Sequence, residues 1–198
     1  MRRTVAEAAV AMGGEVASGD RDARWTRAAL DSRKVDGGEL FFALRGDHVD
    51  GHDFVGAALQ RGAAAAVVER AVLPPDAGDT APSGGATGET PLMPSGAVIR
   101  VPRVYDALHA LTRAVRREVP ERLIGITGSS GKTTTKELLA LCLERRYRVS
   151  KSAGNLNNLL GFPLTLLGTP AGTQWLVAEM GMSLPGELAE ISLSLIHI

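Results

Sequence analysis

A single cysteine, Cys142, stands in 198 residues. That excludes an internal disulfide framework, and its place inside an apolar helical pattern predicts a buried thiol. Net charge is lacking as well. The 22 Lys and Arg balance the 22 Asp and Glu, so no global field draws the chain to nucleic acid or an anionic membrane, and recognition must be local. No run reaches the ~18 consecutive apolar residues of a membrane span. The N-terminus is basic, but Glu7 and Glu15 interrupt the apolar stretch that a signal peptide needs. A reducing cytoplasm is therefore the expected compartment. Residues 74–97, "PPDAGDTAPSGGATGETPLMPSGA", have almost no large apolar side chains. They cannot bury enough surface to offset their ordering entropy, which predicts a mobile loop.

What is present suffices for one sizeable core or two small ones, with 44% apolar and 22% charged residues. Thr4 to Glu7 has the Ser/Thr-x-x-Glu form of a capping box, which predicts a helix to about Met12, stopped by Gly13 and Gly14. "ELFFAL" (39–44) and "AAAVVE" (64–69) have strand length and composition, and "DFVGAALQRGA" between them has helical spacing. "AVIRVP" (97–102) is a further strand, and "VYDALHALTRAVRREV" a helix with Leu108, Leu111 and Val115 on one face, broken at Pro120. From residue 122 the predicted order is strand 123–127, turn, helix 133–146, strand 147–150, an Asn-rich loop, helix 157–168 and strand 175–179. Such alternation predicts an α/β fold with a parallel, doubly wound sheet and binding at the carboxyl ends of its strands. The expected organisation is a small N-terminal α/β domain (1–102), a connecting helix (103–119) and a nucleotide-binding domain from residue 120.

The turn in "ERLIGITGSSGKTTTKELLALCLE" carries the chemistry. A phosphate-binding loop needs successive backbone N–H groups curled around an anion, glycines where the chain bends, and a helix N-terminus behind them. Residues 128–133, "GSSGKT", have all three, with Lys132 placed for the β and γ phosphates and the Thr133 hydroxyl for Mg2+. The strict pattern asks for Gly where Ile126 stands, so this is a shortened form supported by the strand before it and the helix after it. A magnesium site also needs a carboxylate at a neighbouring strand end, and "WLVAEMG" offers Glu179. Asn155, Asn157 and Asn158 offer neutral donors and acceptors in the Asn-rich loop, which also suits turns and caps. Motors and switches, small-molecule kinases and carboxylate-activating ligases all share such a turn.

The N-terminal region separates them. "ALDSRKVDGGELFFALRGDHVDGHDFVGAALQRGAAAAVVE" (29–69) resembles the UDP-binding domain of the Mur ligases of peptidoglycan synthesis, and "GITGSSGKTTTKELL" resembles their ATP loop, shortened glycine pattern included. Within the family, "TGSSGKT" together with "GNLNNLLGFPLTLL" and "AEMGMSLPGELAEIS" is similar to the branch that adds D-alanyl-D-alanine to a UDP-N-acetylmuramoyl-tripeptide, rather than the sibling that adds the third peptide residue. The resemblance implies an N-terminal UDP-substrate domain, followed by a partial P-loop ATP-binding domain from residue 120. ATP and Mg2+ are the implied cofactors, an acyl phosphate the implied intermediate, and a cytoplasmic monomer the implied form. It makes Gly128, Ser129, Ser130, Gly131, Lys132, Thr133 and Thr134 the ATP loop, Thr133 and Glu179 the metal ligands, and Lys132, Glu179 and Asn155 the catalytic set. Ser32 matches a contact to the UDP end of the substrate. Arg33 is left between a pyrophosphate contact and a surface ion pair, and Asp50, Gly51 and His52 between substrate contact and shaping the domain. Family members continue well beyond "ISLSLIHI", so the chain as given is expected to lack a C-terminal ligase domain and to be unable to complete the reaction, leaving a non-catalytic nucleotide-binding fragment as the alternative.

Overall fold

The computed structural model describes residues 3–46, 49–70, 96–117, 122–154 and 156–181. The element order is α1 (Val5–Ala11), β1 (Glu15–Ser18), β2 (Ala28–Ala29), a 3-10 turn (Ser32–Lys34), β3 (Leu40–Phe42), a second 3-10 turn (Gly51–Phe54), α2 (Val55–Gln60), β4 (Ala65–Val68), β5 (Ala97–Arg100), α3 (Val104–Arg116), β6 (Arg122–Ile126), α4 (Lys132–Glu144), β7 (Val149–Lys151), α5 (Gly161–Leu167) and β8 (Trp175–Glu179). The chain divides into two compact units that part inside α3, between Ala107 and Leu108. The segment expected to be a mobile loop lies outside the described residues except for Gly96 and Ala97, and Ala97 already pairs in β5.

The first unit holds a five-stranded sheet in the order β1-β5-β4-β3-β2. Strands β2 to β5 are parallel, and β1 runs antiparallel along β5. This strand was not expected: "EVAS" is short and mostly exposed, so its sequence has no apolar alternation to announce it. Strands covered on both faces should read as continuous apolar runs, and β3 and β4 are buried at every position. One face packs Phe41, Ala43, Ala66 and Val68 against Val55, Ala58 and Leu59 of α2. The capping box of α1 forms as the sequence requires: Thr4 Oγ1 accepts from the Glu7 N–H and Glu7 Oε2 from the Thr4 N–H.

A buried carboxylate pins the entry to β3. Glu39 Oε1 accepts from Arg27 Nε (3.1 Å) and Nη2 (2.8 Å), and Oε2 from the Gly37 N–H (2.9 Å). Burial pushes this carboxyl up, and its hydrogen bonds with Asp36, Arg27 and Gly37 outweigh that and hold it below the usual 4.5. A depressed folded-state value contributes stability above pH ~4.5 that is lost as the pH falls toward the folded value. Urea unfolding at pH 7 and pH 3 is expected to show a smaller acid-induced drop in Glu39→Gln than in the parent chain, and an equal drop would refute this role.

The second unit holds a three-stranded parallel sheet in the order β6-β8-β7. The last of the described strands is therefore the middle one, and Ile126 at the end of β6 is in register with Glu179 at the end of β8. On α4, Lys136 and Ala140 are buried while Leu138 and Leu141 are exposed. Cys142 is exposed too, which corrects the expected buried thiol. The cause is visible in the spacing: Leu138, Leu141 and Cys142 form one stripe, Lys136, Leu139, Ala140 and Leu143 the other, and the second is the more buried. Among the described residues, no helix is long and apolar enough to cross a membrane.

Candidate functional site

Strand β6 ends at Ile126 and the chain turns through "TGSSG" into α4. Gly128 (φ 146°) and Gly131 (φ 75°, at the N-cap) take left-handed backbone conformations that L side chains rarely adopt, so both glycines are needed to fold the turn onto the helix N-terminus. The N–H groups of the first turn of α4 have no intrahelical acceptors, and the positive end of the helix dipole lies with them. Lys132 Nζ folds back and donates to Gly128 O (2.5 Å).

The neighbouring strand supplies the carboxylate. Glu179 is 4% exposed. Its Oε2 accepts from the Thr133 hydroxyl (2.9 Å) and its Oε1 from Asn157 Nδ2 (3.0 Å). Burial pushes the Glu179 carboxyl up, while these two hydrogen bonds and the charges of Lys136 and Lys132 pull it down further, so it sits below its usual value and carries charge. Thr133 and Glu179 come from elements 46 residues apart, and only the placement of β8 beside β6 joins them.

Behind this pair lies a buried polar ring. Lys136, 1% exposed, has Nζ 2.9 Å from Ser152 O, to which it donates, and 4.0 Å from Glu179 Oε2. The Ser152 hydroxyl accepts from the Glu179 N–H (2.9 Å). Sequence reasoning passed over Lys136 and Ser152. The available signal was a lysine in phase with the apolar residues Leu139, Ala140 and Leu143 on the sheet-facing stripe of α4. In the sequence Asn157 reads only as one of three neutral donors and acceptors of the Asn-rich loop. The sequence-predicted helix at 157–168 starts later, because Asn158 Oδ1 accepts from the Leu160 and Gly161 N–H groups (3.2 and 2.8 Å) and leaves the residues before it in a turn. Asn155 lies outside the described residues.

In the other unit, the turns that follow β2, β3 and β4 lie at the carboxyl edge of the parallel strands. Ser32 is buried. Arg33 projects into solvent and forms a two-pronged ion pair with Asp31, which this guanidinium holds at a pKa of about 2. Asp50 Oδ1 accepts from the His52 N–H and lies 2.7 Å from His52 Nδ1, while Oδ2 accepts from Arg70 (3.1 Å). His52 Nε2 accepts from the Glu69 N–H (3.0 Å), which places the ring proton on Nδ1. Both ring nitrogens of the buried His52 are thus taken by partners within the unit. Gly51 has no room for a side chain: a Cβ there would stand 2.5 Å from Leu44 O.

A glycine-rich turn between a parallel strand and a helix, with a buried carboxylate from the adjacent strand set against its threonine, places the second unit among the phosphate-loop α/β domains. The chain belongs to the Mur ligase family. Residues 126–195 match the family model described as the Mur ligase middle domain, and residues 24–118 the one described as Mur ligase family, catalytic domain. It is similar to the UDP-N-acetylmuramoyl-tripeptide--D-alanyl-D-alanine ligase of Bacillus subtilis (strain 168), at 41% identity over 83% of this chain and 32% of that protein. Among solved structures it resembles MurF from Acinetobacter baumannii (TM-score 0.77, 31% identity, 96% of this chain and 38% of that one). It also resembles the MurF ligase from Thermotoga maritima in complex with ADP (TM-score 0.64, 34% identity, 85% of this chain and 35% of that one). The chain spans about a third of the length of the curated relatives it matches.

Proposed function

We propose that the protein carrying these residues is an ATP-dependent ligase of peptidoglycan synthesis that joins D-alanyl-D-alanine to UDP-N-acetylmuramoyl-tripeptide through an acyl phosphate. The observation that carries this reading is the pairing of Thr133 with the ionised, buried Glu179 beside the glycine turn. The D-alanyl-D-alanine ligases among its relatives and the ADP held by the Thermotoga maritima structure support it.

In this reading, the turn from Gly128 to Thr134 holds the phosphates of ATP through backbone N–H groups, and Lys132 leaves Gly128 O to meet the β and γ phosphates. Among the described residues no group of three His, Cys, Asp or Glu could cage a metal alone. Mg2+ needs less, since it keeps waters and substrate phosphates as ligands. The Thr133 hydroxyl and the Glu179 carboxylate, hydrogen-bonded at 2.9 Å, put two oxygen donors of the kind Mg2+ takes side by side. These two residues would hold the ion, which when bound neutralises phosphate charge.

The terminal carboxylate of the tripeptide attacks the γ phosphorus, the bond to the bridging oxygen breaks, and an acyl phosphate and ADP result. The amine of D-alanyl-D-alanine then attacks the acyl carbon, phosphate leaves with the C–O electron pair, and the amine releases a proton. Two anions meet in the first step, so the fixed positive groups of the loop, Lys132 foremost, lower its barrier. By the family resemblance Asn155 is proposed to act on the nucleotide and acyl group. The UDP end falls to the first unit. There Ser32 and Arg33 are the contact candidates, while Asp50, Gly51 and His52 build the edge that presents them. A cytoplasmic monomer is the form proposed.

Calorimetric titration of the chain with MgADP and, separately, with UDP-N-acetylmuramoyl-tripeptide is expected to give one site for each. Absence of both would overturn the reading, and a stable phosphorylated product formed from ATP without any amine would point to a kinase instead.

A further inference from the structure

The proposed chemistry gives no task to the buried ammonium group of Lys136. Lys136 is almost fully enclosed and lies one turn into α4 from Lys132. A buried lysine loses hydration and rotamer freedom, so its retention calls for specific partners. It has three: Ser152 O (2.9 Å), Glu137 Oε1 (3.4 Å) and Glu179 Oε2 (4.0 Å). Ser152 closes the circuit. Its N–H donates to Val177 O (3.0 Å), its hydroxyl accepts from the Glu179 N–H, and its carbonyl accepts from Lys136. Helix α4, the end of β7 and the end of β8 are joined through one ammonium group and one serine.

We propose that Lys136 is a positioning residue for the carboxylate that would hold the metal: it fixes the end of β8 against α4 so that Glu179 Oε2 stays beside the Thr133 hydroxyl. The inference rests on the nucleotide-site reading above and goes beyond it, since Lys136 touches neither nucleotide nor metal in that reading. Magnesium tolerates little departure from octahedral geometry. Removing Lys136 leaves Ser152 O buried without its donor, and an unpaired buried acceptor drives the strand end to move in search of a partner.

Charge could act in the opposite direction, because an ammonium near the site repels a divalent cation. The surroundings cancel most of that effect. Glu137 and Glu179 flank Lys136, and Lys151 pairs with Glu137, so two carboxylates and two ammonium groups balance locally. The Glu137 carboxyl is held below its usual value, first by Lys151, and carries its charge. Position, then, outweighs repulsion.

The test is the gain in ADP affinity on adding Mg2+, measured by calorimetry for the parent chain, Lys136→Met, Lys136→Arg and Glu137→Gln. Lys136→Met is expected to lose about tenfold or more of the Mg2+-dependent gain, while its metal-free ADP affinity stays within about twofold of the parent. Lys136→Arg, which keeps charge and donors, is expected to recover part of the gain, and Glu137→Gln to keep most of it. A general structural loss would instead lower both affinities together and would refute the assignment. So would an unchanged Mg2+-dependent gain in Lys136→Met. Should Lys136→Met fail to fold, Lys136→Gln, which loses the ammonium charge and one atom of reach toward the Ser152 carbonyl, takes its place, and an undiminished gain there overturns the proposal. A parent chain that binds no ADP overturns the nucleotide reading and this inference together. A parent that binds ADP with a gain insensitive to Lys136 overturns this inference alone.

Discussion

In the proposed ligase that carries this chain, Glu179→Gln is expected to lower the rate of ATP-dependent ligation by about 10²–10³-fold, the scale of losing a fixed electrostatic contact to a reacting phosphate group. The substitution keeps shape and volume. Gln can still accept from Asn157 at its one oxygen and donate its NH2 to the Thr133 hydroxyl oxygen, so the hydrogen-bond frame of the buried site is largely retained. What disappears is the negative charge that the surrounding donors and Lys136 stabilise. The melting temperature should therefore change by only a few degrees while Mg2+-dependent nucleotide affinity collapses. The paired measurement is thermal unfolding beside ADP calorimetry with and without Mg2+. A variant that keeps the parent's Mg2+ dependence would remove Glu179 from the metal site.

The second large effect is one of stability. Gly51→Ala would place a Cβ 2.5 Å from Leu44 O and 2.8 Å from both Ala43 C and Leu44 N. All three are backbone atoms, so no side chain can swing away, and the turn itself must move. Overpacking of this kind costs about 1–3 kcal/mol and sometimes more. The displaced turn also carries Asp50 and His52, whose ring ties it to the Glu69 N–H at the end of β4. Urea unfolding is expected to show a midpoint shifted to lower denaturant. A stability equal to the parent's, with affinity for UDP-N-acetylmuramoyl-tripeptide alone reduced, would make Gly51 a substrate contact instead of a shaping residue.

The two substitutions illustrate how differently the parts of the chain could be read. The glycine turn was legible because its function demands a fixed local pattern: donors, bends and a helix start within seven residues. The motif "DGHDF" was legible as a pattern but not as a role, since the same residues could touch a ligand or each other. The structure shows Asp50, His52, Arg70 and the Glu69 N–H binding one another. On α4, "KELLALCLE" carries two apolar stripes, and periodicity alone could not say which one the sheet would take. Cys142 fell on the wrong side for that reason. Lys136 escaped because a lysine in a helix is ordinarily solvated, and only its phase with Ala140 and Leu143 hinted otherwise.

By itself the sequence determined most of the longer local elements and the phosphate loop, because strand runs, caps and glycines act over a few residues. Register and strand order were decided only by the tertiary structure. Placing β8 between β6 and β7 leaves Leu176 to Glu179 buried, and it is this long-range packing that brings Glu179 to Thr133 and Lys136 to Ser152. No short window of sequence holds that information, since the residues that meet are 46 and 16 positions apart.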